Sequence, residues 1–168
     1  MWPFRRRPPT AQGKLTAAQT KAARGDLEGA ATLLREVLQA EPDSLAATVN
    51  LGAVYYSLGR HTPAIEQFEH ALRLKPDDPT VWLDLGAAHN ALGHLDRAIE
   101  ALRRALELSP EHPEAHYNLA VAFLKQKRPV EALAELELEL AVNPGNHRAR
   151  KAAARLKAEL LAQEGTAT

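Results

Sequence analysis

Cysteine is absent from this chain, aromatic residues are few, and no apolar run is long enough to span a bilayer. Without cysteine there is no disulfide framework, no thiolate zinc site and no thiol nucleophile, and a reducing compartment, the cytoplasm, is the default setting. An excess of charge is missing too. The 21 basic and 21 acidic residues cancel, so bulk charge draws the chain toward neither nucleic acid nor membrane. The opening MWPFRRRPPT is basic, but PPTAQGKLTAAQTKAARGD follows it where a secretory signal needs about 7–15 apolar residues. Catalytic signatures are lacking as well: no serine elbow and no phosphate-cradling glycine loop occur. These absences predict a non-enzyme without a cofactor or metal.

What the chain does have is a period. Pro42, Pro76, Pro110 and Pro144 stand 34 residues apart, and the residues between them recur in step. Leu51, Gly52, Tyr55, Gly59, Ala64, Phe68, Ala71 and Pro76 are followed one period later by Leu85, Gly86, His89, Gly93, Ala98, Leu102, Ala105 and Pro110. Self-similarity at such a period marks a stacked repeat rather than a single enzyme-like core. Within the third unit Trp82, Leu85, Ala88 and Leu92 form one helical stripe, and Leu95, Ala98, Ile99, Leu102 and Leu106 form another. Gly93 lies between them, where a left-handed helix end is suited. Each unit therefore reads as a helical hairpin, ended by a proline that lacks a backbone donor and clashes with the preceding turn. Gly52 and Gly86 sit inside first helices, where glycine costs about 1 kcal/mol relative to alanine. Close approach of the paired helix, at Ala64 and Ala98, is the expected compensation.

Trp82, Leu85 and Gly86 form a W-x2-L-G run that is followed by Ala98, Leu102 and Pro110. This pattern resembles the tetratricopeptide repeat over residues 11–146. The resemblance implies an all-α, right-handed α-solenoid of stacked antiparallel helical hairpins. Its expected organisation is a basic, disordered leader at 1–10, repeats at 11–44, 45–78, 79–112 and 113–146, a capping helix at 147–163 and a flexible tail at 164–168. The end units depart from the pattern, as terminal repeats do. Lys14, Ala17, Ala18 and Lys21 occupy first-helix positions of the opening unit, and Lys127 replaces the turn glycine of the last. Glu139 there replaces a small residue.

In that family the first helices line a concave groove that holds a peptide or partner segment. The resemblance carries this face onto Val49, Asn50, Ala53 and Tyr56, then Leu83, Asp84, Ala87 and Asn90, then Tyr117, Asn118, Val121 and Leu124. Asn50, Asp84 and Asn118 share one register, and an Asn amide both donates to and accepts from an extended backbone. The branch that clamps chaperone tails by their carboxylates needs Lys, Arg and Asn here. Leu15, Gln19, Asn50, Thr80 and Asp84 stand at those positions, so only Asn50 matches and Asp84 repels a carboxylate.

Other residues invite chemistry and have simpler readings. His112 and His116 are four apart, a metal-like spacing, yet Pro113 separates them and no further ligand is specified; packing is the expected role of His116, as of His89. Glu135, Glu137 and Glu139 alternate with leucines and are expected to spread over a solvated helix face. Charge is uneven despite its zero total. Residues 1–10 hold three Arg, residues 147–168 five basic against two acidic residues, and residues 11–146 thirteen basic against nineteen acidic. The basic ends, with Trp2 and Phe4 beside Arg5 to Arg7, define a rival reading as a membrane-peripheral or nucleic-acid-associated accessory protein. The composition, rich in Ala with Arg twice as frequent as Lys, points to a bacterial source.

Overall fold

The computed structural model describes residues 10–165, and every element among them is helical. The leader residues Trp2, Phe4 and Arg5 to Arg7 lie outside the described residues. The chain divides into two compact units at Lys75 and Pro76.

The first unit contains α1 (Ala11–Ala23), α2 (Leu27–Ala40), α3 (Leu45–Ser57) and α4 (His61–Leu74), with α1 packed on α2, α2 on α3 and α3 on α4. Short polar residues start the helices: the Thr10 hydroxyl accepts from the Gly13 N–H at 3.1 Å, and the Asp26 carboxylate from the Gly29 N–H at 3.0 Å. Lys21 bonds to Asp26 and, together with the Gly29 N–H, holds that carboxyl below the usual carboxylate range. The two unorthodox lysines of α1 are thus used: Lys14 reaches Glu36 of α2 at 2.7 Å. Ala18, Ala30, Leu34, Ala47 and Leu51 form the core between α1, α2 and α3.

The second unit contains α5 (Pro79–Leu92), α6 (Leu95–Leu108), α7 (Ala115–Lys125), α8 (Pro129–Val142) and α9 (His147–Gly165). Asp78 accepts from the Thr80 and Val81 N–H groups and Pro79 takes the first helical position, so α5 starts on a strong signal. Leu102, Leu119, Phe123 and Leu136 share one buried core with Ala149, Ala153 and Leu156 of α9, which packs on α8. That helix therefore covers the apolar face of the last hairpin. Burying side chains of this size stabilises by about 1.5–3 kcal/mol each. In both units the repeated prolines stand two residues beyond α2, α4, α6 and α8.

The periodic small residues do allow close helix approach; the expected Ala98 is met at Gly86 through its carbonyl, Ala64 is not among the nearest neighbours of Gly52, and a large side chain comes closest at both. A Cβ on Gly52 would lie 2.6 Å from the Phe68 ring; on Gly86 it would lie 2.6 Å from the Leu102 side chain and 3.2 Å from the Ala98 carbonyl oxygen. A large side chain on the second helix fills the space a missing methyl leaves. Between the helices of each hairpin the chain turns through a left-handed residue: Gly25, Gly59 and Gly93, then Lys127 at φ 60°.

Candidate functional site

In the first unit, α3 presents Val49 and Asn50 half-buried and Ala53 and Tyr56 exposed. A cavity of about 320 Å³ opens between α1 and α3, bordered by Ala18, Gln19, Ala22, Asn50, Ala53 and Val54. The Asn50 amide borders it without a hydrogen-bond partner among the described residues. Gln19 joins this lining from α1, a position that sequence reasoning weighed only as a clamp residue. The Tyr56 ring leans on His61 with centroids 5.2 Å apart.

In the second unit, Leu83, Asp84 and Ala87 of α5 are half-buried. Asn90 differs from the open groove amide expected of it. It is 4 % exposed, and its Nδ2 donates to the Asn118 carbonyl at 2.9 Å, while the Asn90 backbone carbonyl accepts from Lys125 Nζ. Packing of α5 on α7 has turned Asn90 into a strut. The Asn118 side chain donates to the carbonyl of Glu114, the residue before its own helix, at 2.9 Å. Burial raises the Asp84 carboxyl to about 6, opposed by the pull of His112 and aided by repulsion from Asp78.

The far end of this unit holds a feature absent from the sequence reading. A cavity of about 310 Å³ opens between α7 and α9, with Tyr117, Leu124, Arg148, Lys151, Arg155 and Leu156 in its wall. The Arg148 guanidinium lies 5.0 Å from the centre of the Tyr117 ring and bonds to Glu114 at 2.8 Å. The sequence expectation had kept the basic residues of the last helix apart from the groove. One further period from Tyr117, Asn118 and Val121 reaches Lys151, Ala152 and Arg155, so carrying the register past residue 146 would have found them.

The solvated-face expectation for Glu135, Glu137 and Glu139 is corrected. Only Glu137 is exposed, paired with Lys157 at 2.6 Å. Glu135 meets His116 Nδ1 at 2.7 Å. Glu139 is fully buried: one carboxylate oxygen accepts from Asn146 Nδ2 at 2.8 Å and Asn143 Nδ2 at 3.4 Å, the other from the Tyr117 N–H at 3.3 Å. Helices leave their first N–H groups without partners, and the one at Tyr117 supplies the reason a carboxylate is accommodated here. Asn146 Oδ1 in turn accepts from the Ala149 N–H at 3.1 Å, capping α9. Glu139 thus ties the starts of α7 and α9 to the end of α8.

His112 is occupied locally, its Nε2 3.2 Å from the Thr80 hydroxyl and its Nδ1 3.0 Å from the Pro113 carbonyl. Among the described residues no three His, Cys, Asp or Glu side chains gather as a metal would require. No described helix is long and apolar enough to cross a membrane.

Helical hairpins whose helices join through left-handed turns, a glycine set against a large side chain in α3–α4 and in α5–α6, and a last helix over the final hairpin define an all-α tetratricopeptide-repeat protein, a class of protein–protein interaction modules generally without catalysis. The particular family follows from a profile match over residues 7–143: the chain belongs to the family described as the cilia and flagella-associated protein 70 C-terminal domain. Among solved structures it is similar to that of MamA, at 26% identity, TM-score 0.76, covering 83% of this chain and 81% of that one. It is also similar to a chain in the APC/C hetero-tetramer Cut9-Hcn1, at 26% identity and TM-score 0.80, covering 88% of this chain but 30% of that one. A thermophilic tetratricopeptide protein of Thermus thermophilus shares the fold at 22% identity, TM-score 0.75, with 90% of this chain and 83% of that one covered. A search of curated protein sequences returned no significant match.

Proposed function

We propose that this chain is a non-catalytic binding module or assembly scaffold that takes up an extended peptide or partner segment along the face of its first helices. In the first unit this face is Val49, Asn50, Ala53 and Tyr56. In the second it is Leu83, Asp84 and Ala87 with Tyr117, Asn118, Val121 and Leu124, Asn90 serving beneath them as a support. The observation that carries the reading is that residues of this face border an open cavity in each unit, one beside Asn50 and one beside Tyr117. Apolar walls take side chains, and a partnerless Asn amide pairs with a peptide backbone. Surfaces preorganised by packed helices lower the ordering cost of binding on their own side. The Cut9-Hcn1 structure is that of a hetero-tetramer, and the likeness supports a role in assembly. Lack of cysteine supports the cytoplasm as the setting, and composition a bacterial source; the cilia and flagella of the family's description are the competing location.

The test is capture of partners from the native source by the wild-type chain and by a variant carrying Asn50→Arg and Val121→Arg, which fill the face without entering the core. Partners should be lost from the variant while its circular dichroism is unchanged. Equal recovery by both chains would sink the groove reading.

A further inference from the structure

The cavity between α7 and α9 has a chemistry that the rest of the face lacks. Its floor is apolar, made by the Tyr117 ring, Leu124 and Leu156, and its rim carries Arg148, Lys151 and Arg155. Two of these cations have carboxylate partners on the surface, Arg148 with Glu114 at 2.8 Å and Arg155 with Glu159 at 3.1 Å. Lys151 has none among the described residues. One helix pair upstream, at α5, the same face carries the half-buried Asp84 with Asp78 nearby. Within this unit the face is therefore polar along its length, acidic at α5 and basic at α9.

We propose that the α7–α9 cavity docks an acidic segment of a partner protein, its side-chain carboxylates on Lys151 and Arg155 and an apolar side chain against Tyr117 and Leu124. This rests on the groove reading above and gives it a partner chemistry and a direction. Exposed ion pairs are weak singly, so the apolar anchor supplies affinity and the cations supply selection and orientation. A concave apolar floor under the cations suits a side chain better than a phosphate backbone, which needs charge without an apolar socket. Asp84 turns carboxylates away from the α5 end.

The experiment uses the full chain and a fluorescein-labelled, C-terminally amidated ten-residue peptide of aspartate and glutamate with one central leucine–phenylalanine pair. Fluorescence anisotropy is read against a peptide with every acid replaced by its amide and against a lysine counterpart. Binding of the acidic peptide should exceed that of the amide peptide by about tenfold or more. It should fall about tenfold in the Lys151→Glu, Arg155→Glu variant, and by a smaller factor in the milder Lys151→Gln, Arg155→Gln variant. It should also weaken as salt is raised. Equal binding of the acidic and amide peptides, or of the acidic peptide to wild type and both variants, overturns the acidic-partner proposal while leaving the groove reading in place. A polyuridine oligomer or phosphatidylserine vesicles bound through Lys151 and Arg155, with no peptide bound, overturns it in favour of a phosphate ligand. Failure of all three peptides, with neither phosphate probe bound, overturns it together with the groove reading for this unit.

Discussion

Hairpins α5–α6 and α7–α8 share a register and a unit, yet they meet the demands of the repeat with different residues. At the helix contact the first sets Gly86 against Leu102, and the second has Ala120 with Leu136 in register, all four buried. At the turn, Gly93 has φ 77° and Lys127 φ 60°. Near the end of the second helix the buried Ala105 is replaced by the buried Glu139. The first hairpin satisfies the repeat with small, apolar and conformationally free residues. The second departs from it, and one departure, Glu139, bonds to the Asn146 that caps α9. A buried carboxylate and a basic neighbouring helix belong to one arrangement, because the Glu139–Asn146 pair that seats α9 also places Lys151 and Arg155 beside Tyr117. The lesson is that a terminal repeat trades consensus economy for an attachment and a distinct surface.

The largest expected effect tests the helix contact. Gly86→Leu should destabilise the chain by about 3 kcal/mol or more, since a side chain built there meets Leu102 and the Ala98 carbonyl, and overpacking costs about 1–3 kcal/mol even where the core adjusts. Gly13→Leu, at an exposed site in the first turn of α1, should leave the urea midpoint nearly unchanged. Equal shifts would remove the close-packing role from the periodic glycines.

Next comes the attachment of α9. Asn146→Ala removes the best donor to the Glu139 carboxylate and the cap of α9 together, and should cost about 2–3 kcal/mol, from a charge-assisted bond and a helix cap. Adding Glu139→Ala should recover part of that loss, because no buried carboxylate is then left short of a donor. A double-mutant cycle from urea midpoints reads the coupling. Additive costs would mean that the two residues act separately, and the contrast between Ala105 and Glu139 would lose its meaning.

The smallest effect concerns the turn. Lys127→Gly should raise stability by about 0.5–1 kcal/mol, since a residue with a Cβ is strained in the left-handed region, partly offset by the greater freedom of glycine when unfolded. Gly93→Lys should lower it by a similar amount. If thermal midpoints move the same way for both, turn strain does not separate the hairpins.

The repeat, its helices and its partner-binding class were legible in the sequence because they depend on period. Pro42, Pro76, Pro110 and Pro144 stop helices wherever they stand, and a 34-residue recurrence of small and large residues places helix faces without knowledge of their neighbours. The left-handed turn was readable even at Lys127, from its register with Gly93. Only tertiary structure decided what the departures do. Glu139 looked solvated because helical periodicity says which face a residue shares, and nothing about a helix arriving from later in the chain. Asn90 looked like a groove amide until α7 closed over it. Lys151 and Arg155 looked like the far side of a cap, while packing of α9 on α8 turned them toward Tyr117. Local spacing determined the elements; burial and hydrogen-bond partners, which depend on residues distant in sequence, determined which polar groups became structure and which remained at the surface.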